Sequence, residues 1–370
     1  MGFTCGIVGL PNVGKSTIFN ALTSAKAAAA NFPFCTIEPN TGAVPVPDPR
    51  LEILAKLAGS QKIIPTQITF VDIAGLIRGA SKGEGLGNQF LGHIRSVDAI
   101  AHVVRCFEDS DVVHVDGKVD PLSDIETINT ELVLADLDSV QKQIQKTEKI
   151  AKSGDKDAKA RLDVLNSLER HLSSGKLAVN FQSNALPDVL IACTETLLTS
   201  KPVLYVLNVS EDEITAPMSI EGDSTIARVA RYAKEHDSQC ITISGKVESE
   251  LAELTAGERD EFLQSLGLQS SGLDRLVIAG YKLLNLITFF TVGPKETHAW
   301  TAPFGTRAPQ CAGKIHSDFE RGFIRAEVIS YTDFVSTGSE AKAREAGKLR
   351  VEGKEYVMQD GDIVHFRFNV

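Results

Sequence analysis

Gly9-Leu10-Pro11-Asn12-Val13-Gly14-Lys15-Ser16 puts two glycines, a lysine and a hydroxyl at the spacing G-x-x-x-x-G-K-[ST]. A loop of that spelling grips phosphate. Its glycines let the backbone curl until successive N–H groups face one point. A helix opening directly after it adds the positive end of its dipole. Lys15 then brings a mobile cation to the β and γ phosphates of a nucleoside triphosphate, and Ser16 offers a hydroxyl to Mg²⁺. Asn12, Val13, Gly14 and Thr17 complete the expected nucleotide contacts of this loop. The chemistry implied is that of a P-loop nucleotide hydrolase of the GTPase type.

The metal needs more oxygen. Phe70-Val71-Asp72-Ile73-Ala74-Gly75 reads as a strand ending in Asp-x-x-Gly. Asp72 can hold Mg²⁺ through water, and Gly75 can offer its N–H to the γ-phosphate because no Cβ blocks the approach. Thr36, in Asn31-Phe32-Pro33-Phe34-Cys35-Thr36, is the candidate that senses the γ-phosphate and completes the Mg²⁺ shell. Leu76 occupies the position where many GTPases carry a water-orienting Gln, so intrinsic turnover is expected to be slow. His114 is the candidate water-orienting group, with a plain surface histidine as the alternative. Gly79, Gly83, Gly85 and Gly87 suggest a pliable, nucleotide-sensing loop.

At the base end, GTPases of this type carry Asn-Lys-x-Asp, whose Asp takes two hydrogen bonds from guanine. Here the strand Val203–Leu207 runs into Asn208-Val209-Ser210-Glu211. Lys is replaced by Val209, and Glu211 is one methylene too long for the guanine match. ATP over GTP is the expectation, since a site built for one hydrogen-bonding edge rejects the other. Ser244 and Gly245, after the next strand, are expected to add backbone contacts to the base.

The elements that position these residues alternate. Runs at Thr4–Leu10, Ile68–Ile73, Ala99–Phe107, Val203–Leu207 and Cys240–Ile243 read as strands among helical stretches, which indicates an α/β domain with a parallel-rich sheet. Over about 126–195 the period turns helical: Ile128, Leu132, Leu134, Leu137, Val140, Ile144 and Ile150, a break at Ser153–Asp157, then Ala158 through Leu172. This is a helical hairpin inserted into the α/β domain, either a solvated insertion or a docking arm. From about 284 the chain turns β-rich, with strands expected at Ile287–Val292, Gly322–Ile329, Glu355–Val357 and Ile363–Phe368 and a hairpin turn at Asp360-Gly361. The expected division is 1–283 and a small α+β domain at 284–368.

Composition is that of a globular chain: 370 residues, 43% hydrophobic, 23% charged, formal charge −10. The acidic balance argues against coating nucleic acid by charge alone and leaves room for a local basic face; no DNA partner is expected. Six scattered cysteines without metal-ligand spacing read as free thiols of a reducing cytoplasm, with Cys35 either an inert or a redox-active thiol. No apolar run reaches membrane-span length, Phe3–Leu10 is too short for a signal core, and Gly6 stands where N-myristoylation needs Ser or Thr.

Together these residues resemble the Obg-like ATPases, the YchF family of translation-factor-related P-loop proteins. The resemblance runs nearly end to end. It rests on Gly9–Ser16, Asn31–Gly42, Asp72–Gly87, Asn208–Glu211, Ala312–Phe319 and Gly322–Glu327. It implies a G domain, a coiled-coil character for the inserted hairpin, and a C-terminal TGS domain, a β-grasp module. It also implies Mg²⁺-dependent ATP hydrolysis and a monomeric partner of ribosomes, with the large subunit and ribosomal RNA as expected contacts. The basic residues Lys314, Arg321, Arg325, Lys342, Arg344, Lys348, Arg350 and Lys354 are candidates for RNA phosphates, with solvated surface charge as the alternative. Two other readings stay open: a GTP-preferring Obg-type GTPase, and a nucleotide-sensing ribosome-binding module in which hydrolysis is incidental.

Overall fold

The computed structural model describes residues 3–27, 40–73, 86–109, 119–216 and 218–369. Thr36, Gly75, Leu76 and His114 lie outside them, as do Cys35, Gly79, Gly83 and Gly85. In chain order the strands and helices begin with β1 (Thr4–Val8), α1 (Lys15–Ala27), β2 (Thr41–Pro45), α2 (Pro49–Ala58), β3 (Lys62–Ile64) and β4 (Gln67–Asp72). Next come α3 (Leu86–Ser96), β5 (Ala99–Arg105), α4 (Pro121–Ala151), α5 (Lys156–Ser173), α6 (Pro187–Thr194) and β6 (Val203–Asn208). They continue with α7 (Thr225–Glu235), β7 (Gln239–Ile243), α8 (Gly245–Glu253), α9 (Ala256–Ser265), α10 (Gly272–Leu283), β8 (Leu286–Val292) and β9 (Glu296–Pro303). The last are α11 (Ala308–Ile315), α12 (Ser317–Arg321), β10 (Phe323–Ser330), α13 (Tyr331–Thr337), α14 (Glu340–Glu345), β11 (Arg350–Glu352) and β12 (Asp362–Phe368).

The chain forms two compact units: residues 1–44 with 69–280, and residues 45–68 with 281–370. The sequence expects 1–283 and 284–368; by packing, the second unit begins at 281 and has a further segment. Residues 45–68 leave the first unit and join the second.

The first unit is built on the sheet β2-β4-β1-β5-β6-β7. β4, β1, β5, β6 and β7 run parallel. Such strands are covered on both faces and spell continuous apolar runs; all seven residues of β5 are buried, including His102 and Arg105. β5 and β6 are neighbours, paired from Ile100↔Val203 to Arg105↔Asn208, although α4, α5 and α6 intervene in sequence. The helical segment is thus an insertion, as its sequence position implies. Pro121 starts α4, and Asp155 caps α5 by accepting from Ala158 N–H at 2.8 Å. The two helices bury Val133 and Val140 against Val164, Leu165, Leu168 and Leu172. The seam follows 133, 137, 140 and 144, so Leu134 and Ile150, expected in the stripe, point away and are 42% and 55% exposed. Asp136 on α4 is buried and accepts from the N–H groups of Leu198 and Thr199 and the Thr199 hydroxyl, fixing the return to β6. Gly87, expected in a pliable loop, lies at the start of α3.

The second unit carries the sheet β11-β10-β12-β8-β9-β3, with β8–β9 and β10–β12 antiparallel and β12–β8 parallel. One face packs Ile287, Phe289, Ala308, Cys311 and Phe366 together, and the other packs Leu51 and Leu54 of α2 with Phe290, Ile329 and Phe334. β3 extends the sheet beside β9, Lys62 opposite Glu296. Arg50 clamps this arrangement between Asp48 (2.7 Å) and Asp360 (2.6 Å). That clamp explains a misread turn. Asp360 does not turn a hairpin: its Oδ1 accepts from Thr288 N–H, Gly361 N–H donates to Thr288 O, and Val357 bridges Arg307 instead of β12. Of the basic residues expected to meet RNA, Arg321, Arg325, Arg344, Lys348 and Arg350 are ion-paired within the unit, to Asp318, Glu327, Glu327 and Glu340, Asp333, and Glu352 and Asp362 respectively. The thiols of Cys5, Cys106, Cys193, Cys240 and Cys311 are free. No helix among the described residues is long and apolar enough to cross a membrane.

Candidate functional site

The loop between β1 and α1 turns under tight constraints. A Cβ at Gly9 would stand 2.5 Å from the Val103 carbonyl oxygen. Gly14 has φ +96°, and a Cβ there would stand 2.3 Å from Asn208 Nδ2. Only glycine meets both demands. Ile18 N–H donates to Gly14 O at 3.0 Å, so α1 begins immediately and aims its N-terminus at the loop.

Lys15 folds back into this loop, 7% exposed, and its Nζ donates to Leu10 O at 2.8 Å. Burial pushes its pKa below the usual lysine value, opposed by the charge of Asp72. Asp72 ends β4, in register with Ile7 of β1, and Ser16 Oγ donates to its Oδ2 at 3.3 Å. Burial raises the Asp72 pKa, with Lys15 and the Ser16 hydrogen bond opposing. Burial pushes both groups toward their neutral forms, and their mutual attraction opposes it. Asp72 Oδ1 is buried and has no hydrogen-bond partner among the described residues. Hard oxygens of a hydroxyl and a carboxylate, one of them unsatisfied, fit Mg²⁺.

Asn208 ends β6 and reaches across. Its Nδ2 donates to Val13 O and its Oδ1 accepts from Gly245 N–H, both at 2.9 Å. It therefore ties the phosphate loop to the start of α8. Val209 is 2% exposed in the core with Leu207 and Ile214, and its N–H donates to Ile243 O. Glu211 pairs with Lys246 at 3.1 Å. Ser244 is buried at the N-cap of α8.

These residues border a cleft of about 620 Å³ lined by Asn12, Gly14, Lys15, Ser16 and Thr17 together with Asn208, Val209, Glu211, Ser244 and Gly245. Phe107, Glu108 and Asp109 line it too. Sequence reasoning singled out none of these three as binding residues. The only signal was a charged Arg105 closing an otherwise apolar strand.

The comparisons follow the same map. A family model described as a 50S ribosome-binding GTPase matches residues 4–167. The model of the YchF GTPase C-terminal region, described as a protein of unknown function, matches residues 286–369. The chain is 55% identical to the ribosome-binding ATPase YchF of Bacillus subtilis (strain 168), over 100% of both chains. It is equally identical, at the same coverage, to the protein of that name from Escherichia coli O157:H7. The solved structure of the Schizosaccharomyces pombe YchF GTPase superposes with a TM-score of 0.87 at 37% identity, covering 99% of this chain and 98% of that one. On this end-to-end identity, joined to a P-loop site spelled and folded for nucleotide, the chain belongs to the YchF family of P-loop nucleotide hydrolases.

Proposed function

We propose that this chain hydrolyses ATP to ADP and phosphate with Mg²⁺ and uses the cycle as a switch for binding ribosomes. The observation that carries the proposal is the apposition of a curled amide loop, the buried Lys15 ammonium and the Ser16–Asp72 oxygen pair with its unsatisfied Oδ1. Lys15 would leave Leu10 O to neutralise the β and γ phosphates, and the N–H groups of residues 12–17 would cradle them. Ser16 and Asp72 would hold Mg²⁺, Asp72 through water, with Thr36 completing the set. The bound metal supplies Lewis-acid stabilisation of phosphate charge. Gly75 would offer its N–H to the γ-phosphate, and His114 would orient the attacking water.

The base end supports ATP. Glu211 stands at the position of the guanine-reading Asp, and its Oε2 accepts from Lys246 at 3.1 Å in an exposed pair. The lysine that would cover a guanine is replaced by a core Val209. Adenine presents an N6 amine donor in place of the N1–H and 2-amine that a guanine-reading Asp would accept. The description of the matched family model as a GTPase keeps GTP as the second reading.

Ribosome binding is carried over from the relatives, which bear it in their names. We place the protein in the cytoplasm as a monomer, with the large subunit as its partner and the second unit as a β-grasp TGS domain. Co-sedimentation tests the switch. The chain with a non-hydrolysable ATP analogue should pellet with ribosomes about tenfold more than with ADP, a coupling of ordinary allosteric size. Equal pelleting in both states would refute a nucleotide-controlled switch.

A further inference from the structure

We infer that Arg105 is a positioning residue that holds Phe107 as a wall at the base end of the nucleotide cleft. The inference deepens the nucleotide reading and rests on it. Arg105 is the largest of the fully buried side chains, 1% exposed. It is the last residue of β5 and stands opposite Asn208 of β6. Cys106 N–H donates to Asn208 O at 2.8 Å, so the chain leaves the sheet locked beside the residue that ties the phosphate loop to α8.

A buried guanidinium is tolerated only where its N–H groups are met. Here the loop itself meets them. Nε donates to Phe107 O and Nη2 to Asp109 O, each at 3.2 Å. The guanidinium carbon also stands 4.7 Å from the centre of the Phe107 ring, within cation–π range. One side chain thus holds both the backbone and the ring of a segment that lines the cleft at Phe107, Glu108 and Asp109, next to Asn208 through Asp212. A planar fork can do this; a lysine ammonium gathers its three donors on one nitrogen, which cannot span both carbonyls and lie flat on the ring. An aromatic ring at that end offers a nucleobase a flat apolar partner, while it has nothing to offer the phosphates.

The test compares the parent with Arg105→Met, Arg105→Lys and Phe107→Ala. It reads KM and kcat for Mg²⁺–ATP and, separately, inhibition by inorganic tripolyphosphate, which has no base. Arg105→Met should raise KM for ATP about tenfold, with the loss on KM rather than kcat. Tripolyphosphate inhibition should be unchanged. Phe107→Ala should do the same, and the double variant should be no worse than Phe107→Ala alone. Arg105→Lys, which keeps charge and most of the bulk, should not restore KM, and it carries the test if Arg105→Met does not fold. An unchanged KM in a folded Arg105 variant, or equal losses for ATP and tripolyphosphate, would overturn the inference. A parent chain that binds neither ligand would instead refute the nucleotide site itself.

Discussion

Replacing Lys15 with Met is expected to lower Mg²⁺–ATP turnover by about a hundred- to a thousandfold, the size seen when a charge-stabilising group is removed from a transition state. The side chain is buried and already turned into the loop, where Leu10 O holds its ammonium at 2.8 Å. Phosphoryl transfer asks the protein mainly for positioning and charge stabilisation, and this ammonium is the cation of the loop. Methionine keeps the stem and removes the charge. The unliganded variant should therefore fold at least as well as the parent at neutral pH. The sign follows from the lowered lysine pKa. Between the folded and unfolded values the unfolded chain binds more protons, so the parent gains stability as pH rises through that window. Lys15→Met removes this part of the pH dependence. Turnover at saturating ATP and urea melts at several pH values check the two halves; a folded variant with near-parent turnover would contradict them.

Asn208→Ala is expected to cost about 2–6 kcal/mol of stability, because it orphans two backbone groups in a buried place and each costs about 1–3 kcal/mol. Those groups are Val13 O and Gly245 N–H. The truncation also removes the side chain against which Gly14 closes. The phosphate loop then loses its tie to β6 and α8, and affinity for Mg²⁺–ATP should fall about ten- to a hundredfold, the worth of one charge-assisted hydrogen bond to phosphate. Asn208→Asp separates the two bonds. It can still accept from Gly245 N–H but sets a carboxylate against the Val13 carbonyl, so it should be no better than Ala. Urea melts and calorimetry measure both effects; parent-like stability in Asn208→Ala would show that the ties are idle.

This second prediction marks how far the sequence could be read. The phosphate loop was legible because its requirements are local: two glycines, a lysine and a hydroxyl within eight residues. Asn208 was legible as a base-end residue, yet its ties to Val13 and Gly245 were not, since 195 and 37 residues separate the partners. Arg105 and Phe107 were missed for a related reason: an arginine at the end of an apolar strand says nothing about which carbonyls it will meet. The inserted hairpin was legible from its period, but the choice of seam between Val133 and Leu134 is made by α5. The second unit shows the same limit. Residues 45–68 carry no local mark of belonging with 281–370; what recruits them is Leu51 and Leu54 packing near Phe290 and the Arg50–Asp360 pair 310 residues apart. Asp360-Gly361 spells a hairpin turn, and the partners of Asp360 at Thr288 and Arg50 overrode that spelling.

The site is proposed to take a magnesium-bound triphosphate and to prefer adenine. Calorimetric titration of the purified chain with Mg²⁺–ATP and Mg²⁺–GTP tests both parts in one instrument. ATP should bind at least about tenfold more tightly than GTP, a difference of about 1.4 kcal/mol. GTP binding as tight as or tighter than ATP, or no heat from either nucleotide with a folded chain, would contradict the account.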